Sequence, residues 1–153
     1  GSHGLTDAVE GAPLDAGKLV LSPTRTYAPI VQEMLAQCRK DIHGMVHCSG
    51  GAQTKVLHFL NDELRVVKNR MMKVPVLFET IQQASGTSWE EMYKVFNMGH
   101  RMEVYTDAGT AEKLMAISES FGVEAQVIGH VEASPGSPSS VVIDSPYGTC
   151  TYP

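Results

Sequence analysis

Short apolar runs alternate with runs of helical period along this chain, and that interleaving constrains its fold more than any other feature. A strand presents side chains to two faces, while a helix buries a stripe that returns about every 3.6 residues. Chains that alternate the two stack them in layers, so the fold class expected is α/β (α+β) with a mixed sheet.

Lys18–Leu21 reads as a short strand stopped by Ser22-Pro23, because proline donates nothing to a ladder and restricts its predecessor. From Tyr27 to Lys40, Ile30, Val31, Met34, Leu35 and Cys38 return at helical spacing, with a cationic last turn that suits the helix dipole. Ile42–Cys48 is a strand, Ser49-Gly50-Gly51 a turn, and Ala52–Leu60 a helix carrying Val56, Leu57 and Leu60. Leu64–Val67 suits a strand, and Pro75 opens a helix to about Ala84 that Gly86 closes. Ser88-Trp89-Glu90-Glu91 is a capping box before a short helix to Phe96. Arg101–Tyr105 is a strand with Met102 and Val104 opposite Arg101 and Glu103, and Ala111–Phe121 a helix ended by Gly122. Val123–Ile128 and Val141–Ile143 complete the strands around the loop Pro135-Gly136-Ser137-Pro138.

The 153 residues fit one domain. Gly1-Ser2-His3 has the form of a tag remnant, residues 4–17 read as a flexible or linker segment, and residues 18–153 as the domain. A net charge of −5 with 42% hydrophobic residues argues against disorder and against a nucleic-acid binder. The longest apolar run, Val74–Phe78, is far short of the roughly 18 residues of a membrane span. A cytoplasmic location with no membrane partner is the expectation. Cys38, Cys48 and Cys150 are odd in number and lack a C-x-x-C pair, so free thiols are expected.

His43–Ala52 is the segment richest in chemistry. On an extended strand His43, Met45 and His47 share a face, and His47 ends the strand beside the glycine turn, where α/β sheets hold ligands. Glycines admit close backbone approach, and free amides beyond them favour an anion. Two readings stand: an anion site assisted by Lys55, or an ordinary strand-to-helix turn. His47 likewise is either a general acid or base, since imidazole titrates near neutrality, or a half-buried structural histidine. A metal held by His43, His47 and His58 is disfavoured because neighbouring acids are sparse, and no metal site is assigned. In Glu91–Met102 the methionines and Phe96 suit a core, while Asn97 and Gly99 stand where a helix must turn into a strand. Arg101 and Arg25 either meet a phosphate or are solvated.

Three segments together resemble one family. Leu21-Ser22-Pro23-Thr24-Arg25-Thr26-Tyr27 is similar to its L-x-P-T-R-x-Y motif, Gly44–Ala52 to G-x-x-H-x-x-G-G-G, and Glu91–Met102 to E-M-x-x-x-F-N-x-G-x-x-M. The family is phosphoribosylformylglycinamidine cyclo-ligase (aminoimidazole ribonucleotide synthetase), and the resemblance covers nearly all of Lys18–Glu132 of its carboxy-terminal domain. It implies a three-layer α/β/α domain and ATP-dependent, magnesium-assisted ring closure of formylglycinamidine ribonucleotide by a homodimeric full-length enzyme. It also implies His47 as the catalytic residue, with Ser49, Gly50, Gly51, Asn97 and Gly99 binding substrate.

Ala52 stands where the family has a third glycine, Gln53-Thr54-Lys55 replaces a bulky-acidic run, and His100-Arg101 replaces an apolar-Gly pair. The family's amino-terminal domain, with its Asp-Gly-x-Gly-Thr-Lys signature, has no counterpart here, so the fragment alone is expected to be inactive and to need no cofactor. Selenophosphate synthetase, thiamine-monophosphate kinase, the hydrogenase-maturation protein and the preceding amidotransferase share the superfamily plan. The Pro-Thr-Arg and Phe-Asn-x-Gly pairing favours the cyclase. A non-catalytic ligand- or protein-binding module is the alternative from another class.

Overall fold

A computed structural model describes residues 3–153, so Gly1 and Ser2 of the tag-like start lie outside the described residues. Five α-helices are described: α1 (Ala16–Leu21), α2 (Ala28–Cys38), α3 (Val76–Ser85), α4 (Trp89–Val95) and α5 (Ala108–Ser120). The strands are β1 (Ile42–His47), β2 (Leu64–Lys68), β3 (Met102–Thr106), β4 (Gly129–Ala133), β5 (Ser140–Ser145) and β6 (Gly148–Tyr152).

Strands β1 and β3 form an antiparallel ribbon in which His47 stands opposite Met102 and Val46 opposite Glu103. The other four strands form a mixed sheet in the order β4-β2-β5-β6, with β2 and β5 parallel and the outer pairs antiparallel. The ribbon is covered on both faces. Ile30, Met34 and Cys38 of α2 and Leu114 and Ile117 of α5 meet Met45 and Val104 on one side. On the other, Val46 and Cys48 join Met92 and Tyr93 of α4, Val66 of β2, and Val141 and Ile143 of β5. Each such side chain contributes about 1.5–3 kcal/mol by leaving water, which makes these two clusters the main source of stability.

Several expected elements take another form. Lys18–Leu21 is the end of helix α1 instead of a strand, because Asp15 caps it by accepting from the Lys18 amide. Around it, residues 4–17 fold back locally: the Gly17 amide donates to the Leu5 carbonyl, and Val9 is buried. The Ala52–Leu60 helix is a 3₁₀ segment over Ala52–His58, entered through Gly51 and Ala52 at positive φ. The basic residues expected in the last turn of α2 lie just beyond it, in the 3₁₀ turn Arg39–Asp41.

Val123–Ile128 is not a strand; pairing starts at Gly129. The 123 end is held by α5, where the Val123 amide and carbonyl both bond Ser118, and the chain then crosses to β2. Only glycine fits at the crossing, since a Cβ on Gly129 would stand 1.8 Å from the Val67 carbonyl oxygen. Strand β3 runs one residue later than expected, and its charged face is not solvated: Glu103 is buried against Lys68. Strand β6 was not expected at all. The Ser88 cap is present, its hydroxyl accepting from the Glu91 amide at 3.3 Å.

Candidate functional site

The candidate site is built at the carboxyl end of β1. Between Ile42 and Gly44 the register slips, so His43 is a bulged residue and only Met45 and His47 keep the expected alternation. Met45 points into the cluster beneath α2, which carries His47, two residues on, to the rim of the same face. His47 is exposed there, and its ring centroid lies 6.4 Å from that of Tyr27.

Tyr27 is placed by the turn that starts α2. Residues 22–27 run without regular structure, and Pro29 in the first turn fits the fixed φ of a helix start. Thr24, Arg25, Tyr27, Ala28 and Val31 therefore line, together with His47 and Met102, an open cavity of about 300 Å³. One residue or more from each of the three motif segments thus lines a single cavity. The sequence left Arg25 undecided between phosphate contact and solvation; in the structure Arg25 and Tyr27 line the same cavity as His47.

Ser49 and Gly50 are exposed just past β1, and Gly51 is half-buried at φ 92°. The Ala52 amide donates to the Ser49 carbonyl at 3.1 Å, closing the turn. Lys55 folds over it, with Cδ 3.5 Å from where a Cβ on Gly51 would stand. Asn97 and Gly99 form a second turn: Asn97 Oδ1 accepts from the Gly99 amide at 2.9 Å. Gly99 has φ 94° and packs on Pro75, whose Cγ would be 3.0 Å from an added Cβ, so a larger residue is excluded on both grounds. Neither turn lines the cavity beside His47.

The two turns are joined by a buried polar network that sequence reading missed. Lys68 Nζ donates to the Gln53 carbonyl at 2.8 Å, to Gln53 Oε1 at 3.0 Å and to Glu103 Oε1 at 2.5 Å. Gln53 Nε2 donates to the Asn97 carbonyl at 2.7 Å, and Tyr105 Oη to Glu103 Oε2 at 2.6 Å. Lys68, Gln53 and Glu103 are all buried. The one available signal was Gln53-Thr54-Lys55, noted as a departure from the family pattern.

Two more groups border this network. Burial, with Glu103 next in effect, pushes the Cys48 thiol up to about 12, so it is no nucleophile at neutral pH. Burial pulls His100 down to about 4, opposed by Glu103, and its neutral ring accepts the Met72 amide at 3.1 Å. Among the described residues, no group of three or more His, Cys, Asp or Glu stands together as a metal cage. No helix among them is long and apolar enough to cross a membrane.

Comparison with known proteins identifies the family. A family model described as AIR synthase related protein, C-terminal domain, matches residues 5–141. A phosphoribosylformylglycinamidine cyclo-ligase of Methanococcus vannielii is 36% identical over 123 residues, covering 78% of this chain and 34% of that protein. One from Methanococcus maripaludis strain C5 is 35% identical over 133 residues, covering 87% and 35%, and one from Methanocaldococcus jannaschii is 34% identical over 122 residues. The chain therefore spans about a third of the length of the curated relatives it matches. The crystal structure of E. coli HypE, a hydrogenase maturation protein, superposes with a TM-score of 0.56 at 13% identity, covering 81% of this chain and 38% of that one, and so shares the fold. On the match over 5–141, this chain belongs to the AIR synthase related protein family as its C-terminal domain.

Proposed function

We propose that this chain supplies the substrate side of a phosphoribosylformylglycinamidine cyclo-ligase. The observation that carries the reading is the meeting of Thr24, Arg25, Tyr27, His47 and Met102, drawn from all three motif segments, around one cavity. The reaction closes the imidazole ring of formylglycinamidine ribonucleotide with ATP, giving aminoimidazole ribonucleotide, ADP and phosphate, as in purine biosynthesis. ATP activates the formamide oxygen by phosphorylation, and the amidine nitrogen then attacks the activated carbon. As the oxygen departs with phosphate, the attacking nitrogen must lose a proton.

In this reading His47 accepts that proton, its ring being exposed at the cavity rim with a strand end fixing its backbone. Arg25 faces the phosphate-bearing part of the substrate, where a guanidinium offers paired donors. Ser49, Gly50 and Gly51, with Asn97 and Gly99, extend the binding surface beyond His47. Among the described residues no group of three or more His, Cys, Asp or Glu stands together to hold magnesium, and this chain's residues are assigned no part in holding the metal or the nucleotide. Both belong to an amino-terminal domain of the complete protein, which is proposed to dimerise and to act in the cytoplasm. No nucleic acid or membrane takes part.

The test of this division of labour is an assay of the isolated 153-residue chain with formylglycinamidine ribonucleotide, ATP and magnesium. No aminoimidazole ribonucleotide should form. Sustained product formation would sink the assignment of the nucleotide to another domain.

A further inference from the structure

Lys68 occupies a position where an apolar residue would serve packing as well. On β2 it shares the inward face with Val66, and its side chain is 1% exposed. An ion pair in such a place is weak evidence for stability, since an apolar pair of similar volume is commonly as stable or more so. What the ammonium offers instead is direction. It has three donors, and three acceptors are in place: the Gln53 carbonyl, Gln53 Oε1 and Glu103 Oε1.

Gln53 is thereby fixed from both ends, its Oε1 on Lys68 and its Nε2 on the Asn97 carbonyl. That carbonyl also accepts the His100 amide at 2.9 Å. The second oxygen of Glu103 is held by Tyr105, so the carboxylate cannot swing away from Lys68. The network ties strands β2 and β3 to two turns distant in sequence, and it is fully paired at Lys68, which is the condition under which buried polar groups give a unique geometry.

The backbone beside both anchor points is unusual. Gly51 and Ala52 precede Gln53 at φ 92° and 42°, and Met98 and Gly99 follow Asn97 at 52° and 94°. Left-handed backbone at non-glycine residues persists only where surrounding contacts hold it. Here the bonds of Gln53 bracket both stretches.

We propose that Lys68 is a positioning residue, which through Gln53 locks the Ser49–Gly51 loop against the Asn97–Gly99 turn and so sets how tightly substrate is held. The clause on substrate rests on the ligase reading above; the mechanical clause does not. Lys68 itself touches no substrate.

The test separates the two clauses. In the 153-residue chain, amide hydrogen exchange is measured for Ala52, Thr54, Gly99 and His100, whose N–H groups are bonded within the two turns, with Val66 and Val142 as references. Two variants are used. Gln53→Leu cuts the link while leaving the Lys68–Glu103 pair, and Lys68→Met/Glu103→Met removes both charges so that neither is stranded. Each should raise exchange at the turn amides at least tenfold relative to the references. An unchanged turn, an equal rise at all sites, or failure of both variants to fold would overturn the proposal and leave Lys68 a stabilising residue only.

In the full-length polypeptide, Gln53→Leu should raise KM for formylglycinamidine ribonucleotide about tenfold with kcat within threefold. An unaltered KM overturns the substrate clause. If the exchange result holds but the unsubstituted full-length polypeptide shows no turnover, the ligase reading falls and the lock between the turns stands.

Discussion

Ala52 shows how one residue carries both the family's pattern and a departure from it. It is 2% exposed at φ 42°, in the left-handed region that favours the glycine found there in the family motif. Alanine is tolerated because its single methyl is the smallest side chain that fills the space. A β-branched residue would meet both the backbone restriction and a filled core, so Ala52→Val should lower stability by about 2 kcal/mol or more in urea unfolding. His100 makes a second residue-level prediction. Its folded pKa is about 4 against an ordinary 6.5, so the unfolded chain binds the proton more readily. Its contribution is complete above pH 6.5 and is lost as pH falls from 6.5 towards 4. Glu103 resists this shift and Lys68 adds to it. The loss should be about 3 kcal/mol, and His100→Gln, which can still accept the Met72 amide, should flatten that part of the unfolding midpoint against pH.

These residues also mark what local reading could not reach. His100 and Gln53 were visible as departures from a motif, but their partners Met72, Lys68 and Asn97 lie 15 to 44 residues away. Glu103 was placed only by strand alternation, opposite Met102 and Val104, and the arrival of Lys68 on β2 is what buries it. By contrast the position of His47 at the exposed end of β1 was legible, because strand alternation from Met45 and the glycines that follow fix where the strand ends.

At the scale of elements, α2, β1, α3, α4 and β5 follow their apolar periods closely, while short segments fail. Lys18–Leu21 has four residues of evidence, and one cap at Asp15 outweighs them. Val123–Ile128 has strand-like composition, yet hydrogen bonds from Ser118 and the glycine crossing place the ladder later. The β5–β6 hairpin was missed because its second strand, Gly148–Tyr152, has weak alternation. It is held from outside: Tyr147 stacks on Trp89 with centroids 3.6 Å apart and planes 8° from parallel, and its hydroxyl donates to Glu79. Tyr147→Ala should therefore cost about 1–2 kcal/mol and shift the emission of Trp89, the single tryptophan, to the red. Unchanged emission would show that the hairpin tip does not cover α4 in solution.

At the scale of the whole molecule, the ribbon β1–β3 stands between two cores and carries a different task on each face. The α2 side leads Met45 and Met102 to the cavity of His47 and Arg25; the opposite side carries Glu103 to Lys68 and, through Gln53, to the two turns. The ribbon thus links the proposed site to the buried network, and about two thirds of the length of the curated relatives lies outside the match. In the complete protein His47 is proposed to act on substrate. This role is tested most directly by steady-state formation of aminoimidazole ribonucleotide by the full-length polypeptide, with and without His47→Ala. The substitution should reduce kcat/KM by about 10²–10⁴ with the fold intact. A variant that turns over at the unsubstituted rate would contradict the account.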